Sequence, residues 1–379
     1  MKKFLLPVSL VLFCASALVS CASCSNQPVN QKPEELKLLW SFAYTQEIDG
    51  LSTVTLRPAL VPNGEVITAL DHQYNSLSQN DGSLSWQRSL PENMYESVKK
   101  LTYDHRYLYG KGNRNSSYFA IDLQNGKMVW QETNAEGLFD DYVHDGLDNH
   151  YLYLTGDGPM LYVFDKQTGN YEDTIQMQYD PRAVVSTGKQ LYITHAWKPD
   201  STESAYGQIV ALDAKTYRKI WQYETIQGGF YYADLVLKDG VLYSGTTSGP
   251  SVFVALDAAT GQVKWELDGY WCYRFTLGDG KIFINDSNYI LAVDQQTGEV
   301  LWEDYFQGHT ESNLAYLDGY LYHAHNGGLF IWNAQTGERV AGPILSPDGS
   351  GFYNLNAVNG RVFVQTDFHL YAYEAYNAE

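Results

Sequence analysis

One frame recurs through this chain: an alternating apolar strand, an Asp, a short polar turn closing on Gly, and a Trp eight residues beyond the Asp. Its clearest copy is VFVALDAATGQVKWE, residues 252–266, with Asp257, Gly261 and Trp265. Alternation at a period of two puts Val252, Val254 and Leu256 on one face of a pleated strand. A carboxylate ahead of a turn accepts amide N–H groups just beyond it, and Gly supplies a positive φ without a Cβ clash. The Trp then brings a large apolar surface to the returning strand. Further copies carry Asp122, Gly126 and Trp130, then Asp213 and Trp221, then Asp294, Gly298 and Trp302. Partial copies place Ser78 before Gly82 and Trp86, Asp165 and Gly169 before Asp173, and Asn333 and Gly337 before Ala341. A chain of copies stacks like units, so 379 residues do not imply two or three separate domains.

A second signal fixes the count. Short turns precede short aromatic or aliphatic strands at Asn63-Gly64, Asp104-His105, Asp148-Asn149, Thr187-Gly188, Asp239-Gly240, Asp279-Gly280, Asp318-Gly319 and Asn359-Gly360. All eight read as two-residue hairpin turns, whose twist matches that of the flanking strands. Together the two signals give four strands per unit, and the Asp-equivalent positions recur about every 42 residues, the period of propeller blades. The 31 Tyr and 32 Gly suit many short strands and tight turns. The expected fold is all-β: an eight-bladed propeller of four-stranded antiparallel blades, one body over residues 36–379. The last unit ends before a fourth strand, whereas LKLLWSF with Trp40 belongs to no unit. Pairing Leu36–Phe42 with Phe368–Glu374 would complete the blade, bring Trp40 near Tyr371, and remove the open edges of a linear array.

The N-terminus carries an export signal: Lys2 and Lys3, an apolar run from Phe4 to Val19, then Leu18-Val19-Ser20-Cys21. The run is too short for a comfortable membrane span. Residues 1–20 read as a lipoprotein signal peptide, with Cys21 as the lipidated new N-terminus and residues 21–35 as a flexible polar tether. Cys24 and Cys272 are expected not to pair. The formal net charge of −19 repels phosphate backbones and argues against nucleic-acid binding.

The A-x-D-x-x-T-G-x-x-x-W pattern resembles the pyrroloquinoline-quinone-like propeller repeat over the whole body from Leu36 onward. In that family the Trp packs between neighbouring blades, which implies a blade-packing role for Trp40, Trp86, Trp130, Trp221, Trp265 and Trp302. One branch is the quinoprotein dehydrogenases, which hold the quinone and a Ca²⁺ on the axis and typically carry large extra loops. Many of them also have a vicinal Cys pair. This chain has compact units and no adjacent cysteines. It is more similar to the lipoprotein B subunit of the outer-membrane β-barrel assembly machinery in length, lipobox, tether and unit size. That resemblance implies a non-enzymatic scaffold without cofactor, lipid-anchored in the bacterial outer membrane facing the periplasm, that binds other envelope proteins such as the barrel-inserting subunit. A lipoprotein binding a carbohydrate or other extracellular ligand on an aromatic face is the alternative, and a quinone-dependent dehydrogenase the third reading.

The segments leading from each Trp to the next hairpin are aromatic and acidic. Should they emerge on one face, Tyr95, Tyr142, Arg182, Tyr231, Tyr232, Asp234, Trp271, Tyr273, Arg274 and Tyr353 would form a binding face rich in rigid rings with polar tips. Two weaker groups stand out. His323 and His325 would point to one side of a strand but lack a third ligand, so a surface pair is expected rather than a metal site. Asp140, Asp141, Asp145 and Asp148 crowd one loop without the register of an EF-hand and read as solvated. No nucleophile elbow, zinc-protease helix or phosphate loop is present.

Overall fold

A computed structural model describes residues 36–44, 58–61, 63–70, 73–89, 102–112, 117–133, 145–155, 158–198, 205–225, 228–231, 234–272, 274–286, 288–306, 312–325 and 328–377. The signal peptide, Cys21, Cys24 and the tether lie outside them.

The turn chemistry read in the sequence produces eight four-stranded antiparallel sheets. We number them as blades 1 to 8: residues 59–89, 102–133, 146–176, 181–224, 236–268, 274–305, 314–344, and 355–374 joined by Leu38–Ala43. Blades 1 to 7 take their strands in chain order. Blade 8 runs Leu38–Ala43, His369–Glu374, Arg361–Gln365, Leu355–Val358, so both ends of the ring share it. In this seam Trp40 pairs with Ala372 and Ser41 with Tyr371, and the Tyr44 amide donates to the Phe368 carbonyl at 2.9 Å. The first strand of blade 8 contacts that of blade 1, and Asn356 Nδ2 donates to the Pro58 carbonyl at 3.1 Å. The first strands of blades 3 and 4, 6 and 7, 7 and 8, and 8 and 1 touch, which places the first strands innermost and the Trp-bearing strands at the rim.

The turn aspartates behave as their position requires. Asp294 Oδ1 accepts the Gln296 and Thr297 amides at 2.9 and 2.8 Å, and Asp213 Oδ1 does the same for Lys215 and Thr216. The hairpin turns divide into three kinds, and in blade 1 three residues separate the paired Val61 and Glu65. In blades 5 to 8 two residues link paired positions such as Lys238 and Val241, and Asp239, Asp279, Asp318 and Asn359 have φ near +50° ahead of their glycines. In blades 2, 3 and 4 four residues separate the paired positions: 104–107, 148–151 and 187–190. The expectation of two-residue turns throughout therefore fails there and in blade 1. Asp104 Oδ1 instead accepts the Arg106 and Tyr107 amides, and Asp148 Oδ1 those of His150 and Tyr151, all at 2.8 Å.

Blades meet through a repeated contact. The Trp86 ring lies on Gly126 of the next blade, and its Nε1 donates to the Leu123 carbonyl at 2.8 Å. Trp130 meets Gly169, Trp221 meets Gly261, Trp265 meets Gly298, Trp302 meets Gly337, and Trp40 of the seam meets Gly82. A Cβ added at any of these glycines would approach the indole to 2.6–2.7 Å. Glycine is thus demanded twice, by positive φ and by the ring lying on it. At about 25 cal/mol per Å² over roughly 150–250 Å², each indole contributes at most about 4–6 kcal/mol of apolar transfer.

In every blade the rim strand carries a one-residue bulge just before the Trp position. Ala255 pairs with Trp265 but Leu256 pairs with Val263, and the same skip occurs at 85, 129, 172, 220, 301, 340 and, in the seam, 39. The bulge turns the strand so that the Trp faces the neighbouring blade. It also leaves the skipped Val129, Ile220 and Leu301 exposed for a purely local reason.

Candidate functional site

Each blade sends its two short turns to one face of the ring, and the longer connections to the other. This follows from four antiparallel strands per blade, and it puts the described parts of the predicted aromatic segments on the loop face. Blade 4 has the longest strands, Gln190–Trp197 and Tyr206–Asp213, at eight residues each. At their loop-face end the Tyr179 and Trp197 rings stack at 3.8 Å between centroids and 1° between planes, and Tyr206 continues the stack at 5.8 Å. His195 fixes the base of this group through a 3.0 Å hydrogen bond between its Nδ1 and the Tyr179 carbonyl. Burial pushes that imidazole down to about 4, so it is neutral at ordinary pH.

Beside the stack, the Arg182 guanidinium sits over the Tyr231 ring at 5.3 Å and faces Asp180 at 3.6 Å. The Asp234 carbonyl accepts Ser244 Oγ at 2.9 Å. Trp271 is 42 % exposed, held at its edge by a 3.3 Å hydrogen bond from Nε1 to the Gly249 carbonyl. The next residue, Cys272, is a free, fully buried thiol against Gly245, and burial holds it well above its usual range. The chain at this point therefore anchors one side chain inward and presents the next outward. Arg274 opens the first strand of blade 6 opposite Asn285.

Of the sequence-derived face, Arg182 and Tyr231 are in direct contact. Asp234, Trp271 and Arg274 occupy the same loops of blades 4 to 6. Tyr353 instead belongs to blade 8, where its hydroxyl donates to Asp367 at 3.0 Å and its carbonyl accepts Ser312 Oγ. Tyr95, Tyr142, Tyr232 and Tyr273 lie outside the described residues. Sequence reasoning missed the Tyr179–Trp197–Tyr206 stack. A signal was available: of nine Trp, only Trp197, Trp271 and Trp332 fall outside the repeat frame.

His323 and His325 do project to one side, both edge-on to Phe306 at 5.3 and 5.1 Å. They are not a surface pair. His323 has no exposed area, and burial lowers it to about 3. The enclosing group is held by Arg339, which lies 5.5–5.7 Å from Phe306, Phe330 and Trp332 and pairs with Asp304 at 2.5 Å. Asp148 is not a loose solvated carboxylate either, since Oδ2 also accepts Tyr153 and Ser186 at 2.9 Å. Asp140 and Asp141 lie outside the described residues. Among the described residues no three His, Cys, Asp or Glu side chains gather to hold an ion.

Ring, repeat and seam define an eight-bladed propeller of the pyrroloquinoline-quinone-like class. The profile of the family described as outer membrane protein assembly factor BamB matches residues 178–274 and 205–378, more than half of the sequence, and the chain belongs to that family. Among solved structures it is similar to BamB from Moraxella catarrhalis, at 16 % identity and a TM-score of 0.67 over 91 % of this chain and 99 % of that one. It is also similar to the computationally designed Ika8 protein, at 14 % identity and TM-score 0.68 over 89 % and 99 %. Quinohemoprotein alcohol dehydrogenase from Comamonas testosteroni resembles it at 12 % identity and TM-score 0.66, over 91 % of this chain and 77 % of that one. At such identities these likenesses speak for the fold. A search of curated protein sequences finds no match.

Proposed function

We propose that the chain is a non-enzymatic scaffold of the bacterial envelope, attached to the outer membrane through a lipid on Cys21 and facing the periplasm. Its loop face binds other envelope proteins during β-barrel assembly. Family membership supports the setting. The observation that carries the binding role is the group on blades 4 to 6: an arginine stacked on Tyr231, an aromatic ladder, and the outward Trp271 fixed by the buried Cys272 beside it. Rigid rings with polar edges, flanking a guanidinium, have the composition of interface anchors, because they lose little entropy on docking.

The test is site-specific crosslinking in cells from Tyr231 and Trp271, with Val129 on the rim as control. Recovery of the barrel-inserting assembly subunit from the loop face alone is expected, and the triple variant Arg182→Ala, Tyr231→Ala, Trp271→Ala should lose it while remaining folded. Unchanged capture by that variant would remove this face. Dye reduction on adding pyrroloquinoline quinone and Ca²⁺ would overturn the non-enzymatic reading.

A further inference from the structure

The opposite face, built of turns, carries a cleft of about 540 Å³ across blades 2, 3 and 4. It lies where the four-residue turns replace the two-residue ones, so the longer turns form its walls. Its size falls within the roughly 300–1,000 Å³ of small-molecule sites.

The repeat supplies an internal control for what lines it. The residue after the turn aspartate or its equivalent is Gln79, Leu123, Ala214, Ala258, Gln295, Ala334 or Ala375 in the other seven blades. Blade 3 alone has a cation there, Lys166, and it is only 7 % exposed. Its ammonium donates to Asp104 Oδ2 of blade 2 and to the Asp148 carbonyl, both at 2.8 Å. An ammonium has three donors, so one remains for an occupant of the cleft.

The acids at this site are committed. Asp104 accepts two turn amides, Tyr109 and Lys166; Asp148 accepts two turn amides, Tyr153 and Ser186. Four bonds fill the acceptor sites of each carboxylate. Arg106, by contrast, lies over the Tyr107 ring at 4.8 Å and has no carboxylate partner among the described residues. Asn149, Gln167 and Thr187 add amide and hydroxyl groups to the lining.

We propose that this cleft binds a small hydroxyl-rich molecule bearing one oxyanion, a sugar acid or a sugar phosphate, with the oxyanion drawn to Arg106 and the spare donor of Lys166. The amides and hydroxyls take the hydroxyl groups, and the exposed Arg106 guanidinium, held flat on the buried Tyr107 ring, forms one wall. A charge-assisted bond of this kind is worth about tenfold or more in affinity.

Calorimetric titration of the folded, mature chain with glucuronate, glucose 6-phosphate and glucose tests this. One of the two anions should bind about tenfold or more tightly than glucose, and whichever does so identifies carboxylate or phosphate as the preferred group. Arg106→Gln, an exposed substitution, should cost about tenfold in that affinity with no change in Tm. Lys166→Met should also weaken binding, with Tm measured alongside to separate this from loss of the Asp104 pair. Equal binding of glucose and the anions, no binding by any of the three at millimolar concentration, or an unaffected Arg106→Gln would each overturn the proposal.

Discussion

The junction between blades 2 and 3 and the junction between blades 3 and 4 solve one problem in opposite directions. At the first, Trp130 reaches forward onto Gly169, and its indole donates to the Lys166 carbonyl at 3.0 Å. At the second, Asp173 stands at the Trp position, opposite Val163, and no indole is sent forward. The receiving turn has changed to match: Tyr217 takes the place of Gly and holds the left-handed conformation with φ 56°. Its ring packs against a cluster shared by the two blades, which includes Tyr153, Val163 and Ile175 of blade 3. The junction from blade 7 to blade 8 is also reversed. There Ala341 replaces Trp, and Tyr376 leans back with its ring 4.8 Å from Tyr320 and its amide on the Tyr322 hydroxyl. Glycine is therefore required by the indole that lands on it, and tyrosine is tolerated in the same turn when none arrives.

Breaking the forward junction should give the largest effect. Trp130→Ala or Trp265→Ala is expected to cost about 3–5 kcal/mol in urea unfolding, with the ring of sheets loosened at that joint. Gly261→Ala comes next, at roughly 2–4 kcal/mol, because a Cβ at 2.6 Å from the Trp221 ring adds overpacking to an unfavourable φ. The reversed junction gives the sharpest test. Asp173→Trp and Tyr217→Gly should each destabilise alone, but together rebuild a forward lock, with a favourable coupling of about 1 kcal/mol or more in a double-mutant cycle. Purely additive effects would sink the reciprocity argument.

A smaller effect separates the joints by pH. Burial pushes the Asp104 carboxyl up, but the hydrogen bonds from Lys166 and two turn amides outweigh it and hold the group below the usual carboxylate range. Its contribution is thus present above the unfolded carboxylate pKa and lost as pH falls through the folded value. Asp104→Asn should flatten the acid limb of the stability curve below about pH 4. The smallest effect is expected at the skipped rim residues. Ile220→Ser should change stability by less than about 0.5 kcal/mol, since its exposure follows from the bulge.

Much of this molecule was legible because a repeat writes the same instructions several times. The Asp-turn-Gly-Trp spacing and the hairpin dipeptides gave the strand count, the eight blades and the seam, and the orphan Trp40 pointed to its partner strand. What stayed hidden depended on departures from the repeat. Nothing local in Tyr217 announces that its ring will fold backward; that follows only once Asp173 is known to lie across the joint. The four-residue turns at Asp104 and Asp148 look like the two-residue ones until pairing registers are seen, because the Asp caps the turn without needing positive φ. On the loop face, aromatic content was visible in the sequence. Which rings touch was not, since the contact of Arg182 with Tyr231 depends on how two blades are rotated against each other.

The seam has a consequence for how this protein comes into being. Leu38 pairs with Tyr373, so the first strand of the ring waits unpaired until the strands of blade 8 have been made. The circle is sealed at the end, and until then the nascent chain is an open arc with two raw edges able to recruit foreign strands. Speed of closure, more than the strength of any one joint, decides how long that hazard lasts.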